Sequence, residues 1–260
     1  MTEVIPTELR NDFLDTLNQK GFLLEQKTSK ILSTKILSKS LPGLGHLKEH
    51  EVFNHFGERV EIDFLLTRGP WRFLIECKRT DYSWFFPKIL DKPRMFYIIR
   101  DSSNGMEIII NPAKVQTTNY NIALKLDSPN KLKKKKIRFE TSYGDIHDNI
   151  KQILKEVEAY VCNERFLDNF LIPTLVTNAK LYQVDYSEEH LDDNGNLKDY
   201  DELPELDYVI YNFPEMIRWD KGRQLLQDKH TSMSQDHNKS VFIVNVNHLE
   251  SFINNFESIF

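Results

Sequence analysis

The chain has 260 residues, enough for one large domain or for a core domain with an appended lobe. With 40% hydrophobic and 28% charged residues it is typical of a soluble globular protein, and nothing in this composition suggests disorder. No apolar stretch approaches the roughly 20 residues that cross a bilayer, and the N-terminal segment lacks the features of a secretory signal, so we expect a cytoplasmic protein without a membrane partner.

The charge is unevenly distributed. The net charge is -5, but residues 185–207 hold ten acidic residues and one lysine, so the rest of the chain carries about +4. A basic run at residues 131–138 includes Lys133, Lys134, Lys135 and Lys136. This run is either a solvated loop or a contact for a nucleic-acid backbone. The two cysteines, Cys77 and Cys162, are too few for a disulfide framework or a cysteine-based zinc site.

The first predicted element is a helix over residues 7–20, which Gly21 ends. Residues 22–37 fit either a strand that runs into a helix or one long helix, and residues 41–45 form a break. The remaining predicted elements follow in chain order: strands at 51–56, 60–67 and 71–78, a hairpin of 95–100 with 106–110, a helix at 146–161 that Asp145 caps, strands at 171–186, 208–211 and 241–246, and a helix at 248–256.

Strands 60–67 and 71–78 contain charges within apolar runs. Because side chains two apart in a strand point the same way, Glu76 and Lys78 share one face, and Cys77 lies on the other. On the preceding strand, Asp63 shares a face with Glu61. A tight hairpin at Arg68-Gly69-Pro70 would set Asp63 beside Glu76.

Two partly buried carboxylates repel each other unless a cation compensates for their charges. Oxygen ligands from two carboxylates, completed by waters and a substrate phosphate, suit Mg²⁺ or Mn²⁺ better than zinc. Such an ion activates water and neutralises charge at phosphorus. Lys78 could orient the water or stabilise the transition state. The alternative is a surface hairpin with a cross-strand ion pair between Lys78 and one of the acids.

At these residues the sequence resembles the PD-(D/E)xK phosphodiesterase superfamily, the restriction-endonuclease-like nucleases. The match consists of Asp63, twelve intervening residues, and Glu76-Cys77-Lys78 at the end of an apolar strand. The resemblance implies that Asp63 and Glu76 bind the metal, with the backbone carbonyl of Cys77 as a further ligand, and that Lys78 is the catalytic lysine. Some branches also place a glutamate on the first helix and a glutamine on a later one, for which Glu8 and Gln152 are the nearest counterparts.

The resemblance implies an α/β (α+β) protein with a restriction-endonuclease-like core, a mixed central sheet flanked by helices, and a C-terminal β-rich extension. The core covers residues 1–186, with an inserted hairpin region at about 82–142. Residues 187–260 form the extension, either separate or part of the same domain. The family's proline before the first acid is Ile62 here, and Glu61 is a further candidate for a supporting role.

The implied activity is metal-dependent hydrolysis of DNA phosphodiester bonds, with RNA left open, in a setting such as defence against phage, restriction or repair. Duplex cleavage favours a homodimer, since one site cuts one strand, and targeting could require a partner protein. Arg79 and Trp84 follow the catalytic strand and are candidate nucleic-acid contacts, although this aromatic segment could equally pack in the core.

Two alternatives compete with a nuclease. The same fold could bind nucleic acid or assemble with partners without turnover. A more remote possibility is a zinc metalloprotease, because residues 46–50 read HxxEH, with His46 and His50 as the zinc-binding pair. That pattern requires a helix, whereas Gly43, Gly45 and the following apolar residues favour extended chain.

Overall fold

The computed structural model describes residues 14, 21–38, 44–53, 57–69, 71–80, 82–88, 96–97, 99–100, 107–108, 117–118, 122–124, 143–163, 170–213 and 239–259. Of the helix predicted over residues 7–20, only Leu14 lies within these ranges, and it is helical.

Three α-helices lie within the described residues: α1 Phe22–Ser38, α2 Tyr143–Asn163 and α3 Leu249–Asn255. Residues 22–37 therefore belong to one long helix, which starts directly after Gly21. Helix α2 begins before Asp145, so the prediction that this residue caps the helix is wrong. Helix α3 continues into a short 3-10 helix, Phe256–Ile259.

The strands are short except for those around the predicted hairpin and in the centre of the sheet. In chain order they are β1 Leu44–Phe53, β2 Arg59–Arg68, β3 Trp71–Lys78, β4 Ser83–Pro87, β5 Phe96–Tyr97, β6 Ile99–Arg100, β7 Glu107–Ile108, β8 Thr117–Thr118, β9 Ile122–Leu124, β10 Phe170–Thr177, β11 Leu181–Val184, β12 Glu205–Leu206, β13 Tyr208–Phe213 and β14 Lys239–Asn245.

The fold is mixed α/β, with two mixed sheets flanked by helices. The central sheet has the order β1-β2-β3-β10-β14-β13-β8, and β6 also pairs with β10. Strands β1, β2 and β3 are antiparallel neighbours, whereas β3, β10 and β14 run parallel. The second sheet has the order β12-β11-β4-β9, and β5 pairs with β7 as the predicted hairpin.

The single strand predicted over residues 171–186 is wrong, because the chain divides there into β10 and β11, which lie in different sheets. The Thr177 hydroxyl accepts a hydrogen bond from the Ala179 backbone N–H, a local contact that favours a turn. Asn178 then bonds to both backbone groups of Thr80. These contacts end β10 and fix the segment that follows β3.

Strands from different parts of the chain combine in both sheets. Strands β13 and β14, from residues 187–260, lie in the same sheet as β2 and β3. Strand β4 pairs with β11, and β8 pairs with β13, so the region between residues 82 and 142 contributes to both sheets.

Two apolar layers enclose the central sheet. One layer joins α2 to residues such as Leu74, Leu175 and Ile243, and it also receives Trp84 from the second sheet. The other joins α1 and α3 to the opposite face of the sheet. Strand β3 is thus covered on both faces, which explains its nearly continuous apolar sequence. None of the helices in the described part of the chain is both long and apolar enough to span a membrane.

Candidate active site

Asp63 and Glu76 meet where the β2–β3 hairpin opens. The hairpin turns at Gly69, whose φ of 53° is the left-handed conformation that glycine adopts readily. Its antiparallel register runs back to the pair Phe64 and Ile75. One residue further in the same register sets Asp63 beside Glu76, as the strand geometry predicted.

At this point the Asp63 carboxylate, instead of a backbone carbonyl of β2, accepts a hydrogen bond from the backbone of β3. Its Oδ2 accepts a hydrogen bond from the backbone N–H of Cys77 at 2.8 Å. The Cys77 side chain points to the other face of the sheet, where its Sγ lies 3.5 Å from the Thr28 hydroxyl on α1. Cys77 therefore contacts the acidic pair through its backbone, and its buried thiol faces away from the site.

The Glu76 carboxyl group receives two donors from different elements. Its Oε1 lies 2.7 Å from Lys78 Nζ and 2.6 Å from Gln152 Nε2. Glu76 is only 2% exposed, whereas 29% of the Lys78 side chain is accessible. Gln152, for which the sequence offered only the family resemblance, is brought to Glu76 because α2 packs on this face of the sheet.

A further acid, Glu156, belongs to the same cluster and was missed in the sequence analysis. It is 1% exposed, its Oε1 lies 3.3 Å from Gln152 Nε2, and its carboxyl group lies close enough to Glu76 for the two charges to repel. The signal was available in the sequence: Glu156 follows Gln152 by one helical turn and sits between the buried residues Ile153 and Val157.

The acidic cluster is strongly perturbed. Burial and the nearby Asp63 charge raise the pKa of Glu76 to about 7, against an ordinary value of 4.5. Burial and the charge of Glu76 raise the pKa of Glu156 to about 9. Burial also raises the pKa of Asp63, although the Cys77 N–H opposes this shift. The site therefore favours protonated acids, or acids with a bound cation, over uncompensated carboxylates.

Lys78 is the cation that faces the cluster. Partial burial lowers the pKa of its ammonium group, but the hydrogen bond to Glu76 and the charges of Glu76 and Asp63 outweigh this effect and raise the pKa overall. Lys78 thus remains protonated at neutral pH while part of its side chain stays open to solvent.

The donor chemistry of the pair fits a hard divalent cation. Within the described ranges, no group of three or more His, Cys, Asp and Glu side chains is arranged to hold a metal ion. Mg²⁺ is commonly held by one or two carboxylates plus waters and substrate phosphates, however, and Asp63 with Glu76 supplies such a pair. The Cys77 carbonyl as a ligand stays a prediction.

The other residues singled out from the sequence have different outcomes. Glu61 is exposed on β2, and its charge contributes to the raised pKa of Asp63. Arg79 is half-buried just after β3. Trp84 is completely buried between α2 and the sheet, so its prediction as a nucleic-acid contact is wrong. Glu8 and the four lysines at 133–136 lie outside the described residues.

The backbone also bears on the metalloprotease alternative. Residues 46–50 lie within strand β1, so the helix that an HxxEH zinc site requires is not formed there. His46 and His50 therefore lack the one-turn spacing on which that alternative depended.

No family model, curated protein or solved structure shows a significant match to this chain.

Proposed function

We propose that this protein is a nuclease that uses Mg²⁺ or Mn²⁺ to hydrolyse phosphodiester bonds in DNA, on a restriction-endonuclease-like core. The observation that carries this proposal is the arrangement of Asp63, Glu76 and Lys78 at the open end of one hairpin, with Lys78 bonded to Glu76. This is the residue set that the family resemblance implies for catalysis.

The order of elements around the hairpin supports the same fold. Antiparallel strands β1, β2 and β3 are followed, after the inserted strands β4 to β9, by α2, which packs on the face that carries Glu76. Strand β10 comes next and runs parallel to β3. The resemblance implies this sequence of a catalytic hairpin, a helix and a neighbouring parallel strand.

Each side chain has a role that follows from its contacts. Asp63 and Glu76 would hold the cation, and the Cys77 N–H orients Asp63. When bound, the cation would lower the pKa of a coordinated water and neutralise charge at phosphorus. Lys78 is protonated, partly accessible and adjacent to Glu76, so it can orient the attacking water or stabilise the developing negative charge. Gln152 holds Glu76 in place.

The electrostatics provide a reason for a cation to bind here. Three acids share a mostly buried site, and Lys78 is the one cation in direct contact with Glu76 among the described residues. Ionised carboxylates in such a place are unfavourable unless further positive charge arrives. A divalent cation supplies that charge and would displace the proton that Glu76 retains near neutral pH.

DNA is the proposed substrate because the resemblance is to DNA-cleaving enzymes and because the chain outside residues 185–207 carries net positive charge. Cleavage of both strands would require two copies of the chain, since one site cuts one strand. A separate partner for targeting is compatible with this arrangement.

The direct test is incubation of purified protein with supercoiled, linear and single-stranded DNA, and with RNA, in Mg²⁺, Mn²⁺ or EDTA. We expect cleavage that requires a divalent cation. The variants Asp63→Asn, Glu76→Gln and Lys78→Met should each reduce the rate by on the order of 100-fold or more.

Matched controls are Asp148→Asn, which changes an exposed acid on α2, and Lys30→Ala, which changes an exposed lysine on α1. Both should cleave at the wild-type rate. Binding of DNA without cleavage under every condition, unchanged in the three site variants, would instead support the binding-module alternative. Cleavage of RNA alone would correct the substrate.

A further inference from the structure

Glu156 occupies an unfavourable place for an acid. It lies on the apolar face of α2, between the buried residues Ile153 and Val157, and is 1% exposed. Burial of a carboxyl group without compensating partners destabilises a fold. An apolar side chain would pack better than an acid at this position of α2. The contacts of Glu156 with other polar groups therefore need an explanation.

Those contacts converge on Glu76. Gln152 Nε2 bridges the two acids, at 2.6 Å from Glu76 Oε1 and 3.3 Å from Glu156 Oε1. Both Oε2 atoms are buried, and no donor from another described side chain or backbone group reaches them.

A hydrated cation between Glu76 and Glu156 is a poorer explanation. Mg²⁺ usually retains several of its waters, which need room and access to solvent. Both acids are at most 2% exposed, and their Oε2 atoms are closed to water. The more open side of the cluster lies instead at Asp63, Lys78 and Gln152, which are all partly or fully accessible.

We propose that Glu156 is a positioning residue for Glu76 that acts through Gln152. The Glu156 carboxyl group accepts a hydrogen bond from the Gln152 amide, which holds that amide in the orientation that donates to Glu76 and so fixes Glu76 beside Asp63. This inference rests on the proposed function, because an oriented Glu76 matters only if it binds the cation. Helix α2 would then control the geometry of the metal pair on β2 and β3, although Glu156 itself touches neither cation nor substrate.

The test compares Glu156→Gln with Glu156→Leu. Glutamine keeps the shape and a side-chain oxygen that can accept from Gln152, whereas leucine fills the space without an acceptor. Mn²⁺ affinity is measured by electron paramagnetic resonance of the free ion, and stability by urea unfolding. We expect glutamine to stay within about threefold of wild type and leucine to weaken Mn²⁺ binding by about 10- to 100-fold. Leucine should leave the urea midpoint equal or higher, because it replaces a buried acid.

This pattern separates positioning from packing. If both variants lower Mn²⁺ affinity and the urea midpoint together, Glu156 acts through the packing of α2 and the proposal is wrong. Wild-type affinity in Glu156→Leu would also overturn it. Asp148→Asn, on the exposed face of the same helix, is the control that should change neither quantity.

A metal-free measurement distinguishes this proposal from the proposed function. Urea unfolding in EDTA of Glu156→Leu, Glu76→Leu and the double variant gives the coupling between the two positions. We expect a coupling on the order of tenfold in the folding equilibrium constant. Failure of the wild type to bind Mn²⁺ would refute the metal-dependent nuclease, while additive effects in this cycle would refute the coupling through Gln152 that positions Glu76.

Discussion

Gln152 donates a hydrogen bond to Glu76 across 2.6 Å and so joins helix α2 to the end of strand β3. The bond is short, reaches a buried carboxyl group and comes from a side chain that is itself largely exposed. An exposed glutamine contributes little to the apolar packing of its helix. Its main physical effect is therefore on the orientation and charge of Glu76.

Replacement of Gln152 by alanine should impair the site without unfolding the protein. The variant loses one of the two donors to Glu76 Oε1, while alanine is a favourable residue in a helix. We expect Mn²⁺ affinity and DNA cleavage to fall by about 10- to 100-fold, with a urea midpoint close to that of wild type. Lys151→Ala, at the preceding position of α2, is the control. Wild-type affinity in Gln152→Ala would show that the bond has no part in the site.

The part of the site that the sequence predicts is the part formed by local structure. A glycine turn between two apolar runs fixes the β2–β3 register, and the two-residue period of a strand then places Asp63, Glu76 and Lys78 together. Glu156 could not be assigned in the same way. Its proximity to Glu76 depends on how α2 packs over β3, a contact between residues 80 positions apart in the chain.

The wrong predictions about the strands also arise from contacts between residues that are far apart in the sequence. Residues 171–186 read as one strand because apolar and β-branched residues recur along the run, whereas the break after β10 is fixed by the bonds between Asn178 and Thr80, far apart in sequence. Trp84 could be either exposed or buried by sequence alone. It is buried because β4 pairs with β11, nearly one hundred residues later. Contacts of this kind leave little local pattern.

The stability of the metal-free protein should decrease as pH rises through the neutral range. The pKa of Glu76 is about 7 in the folded protein against an ordinary value of 4.5, so the folded state binds this proton more tightly than the unfolded state. The resulting stabilisation is complete below about pH 4.5 and is lost as pH rises through about 7. Glu156, with a pKa of about 9, extends the loss to higher pH.

Urea unfolding in EDTA at pH 5, 7 and 9 measures this effect. The difference between wild type and Glu76→Gln should change with pH in favour of the variant, because the amide carries no titrating proton. Asp148→Asn should follow the wild-type profile. A difference between wild type and Glu76→Gln that is constant from pH 5 to 9 would contradict the raised pKa.

The Cys77 thiol should be dispensable for catalysis. It lies on the face of β3 opposite to Glu76, bonds to Thr28, and has its pKa raised by burial, so it is a poor nucleophile. We expect Cys77→Ala to retain DNA cleavage within about twofold and to lose on the order of 1 kcal/mol of stability. Iodoacetamide should modify Cys77 only after unfolding, as mass spectrometry of the peptide would reveal. Loss of cleavage in a folded Cys77→Ala variant would disprove this separation of the two faces.

Replacement of Lys78 should affect cation binding and catalysis in different ways. Its ammonium group lies 2.7 Å from Glu76 Oε1 and repels any other cation at the same carboxyl group. Lys78→Met preserves the length of the side chain but removes this charge. The comparison is made at pH 9, where Glu76 is ionised even if its pKa rises somewhat in the variant. Under these conditions the Mn²⁺ affinity of Lys78→Met should be equal to that of wild type or higher. DNA cleavage should nevertheless fall by about 100-fold or more, because the positive charge that stabilises the reaction is gone.

Lys30→Ala, on the opposite side of the sheet, should alter neither Mn²⁺ affinity nor DNA cleavage. A parallel loss of Mn²⁺ affinity and cleavage would mean that Lys78 shapes the acidic pair rather than acting on the substrate.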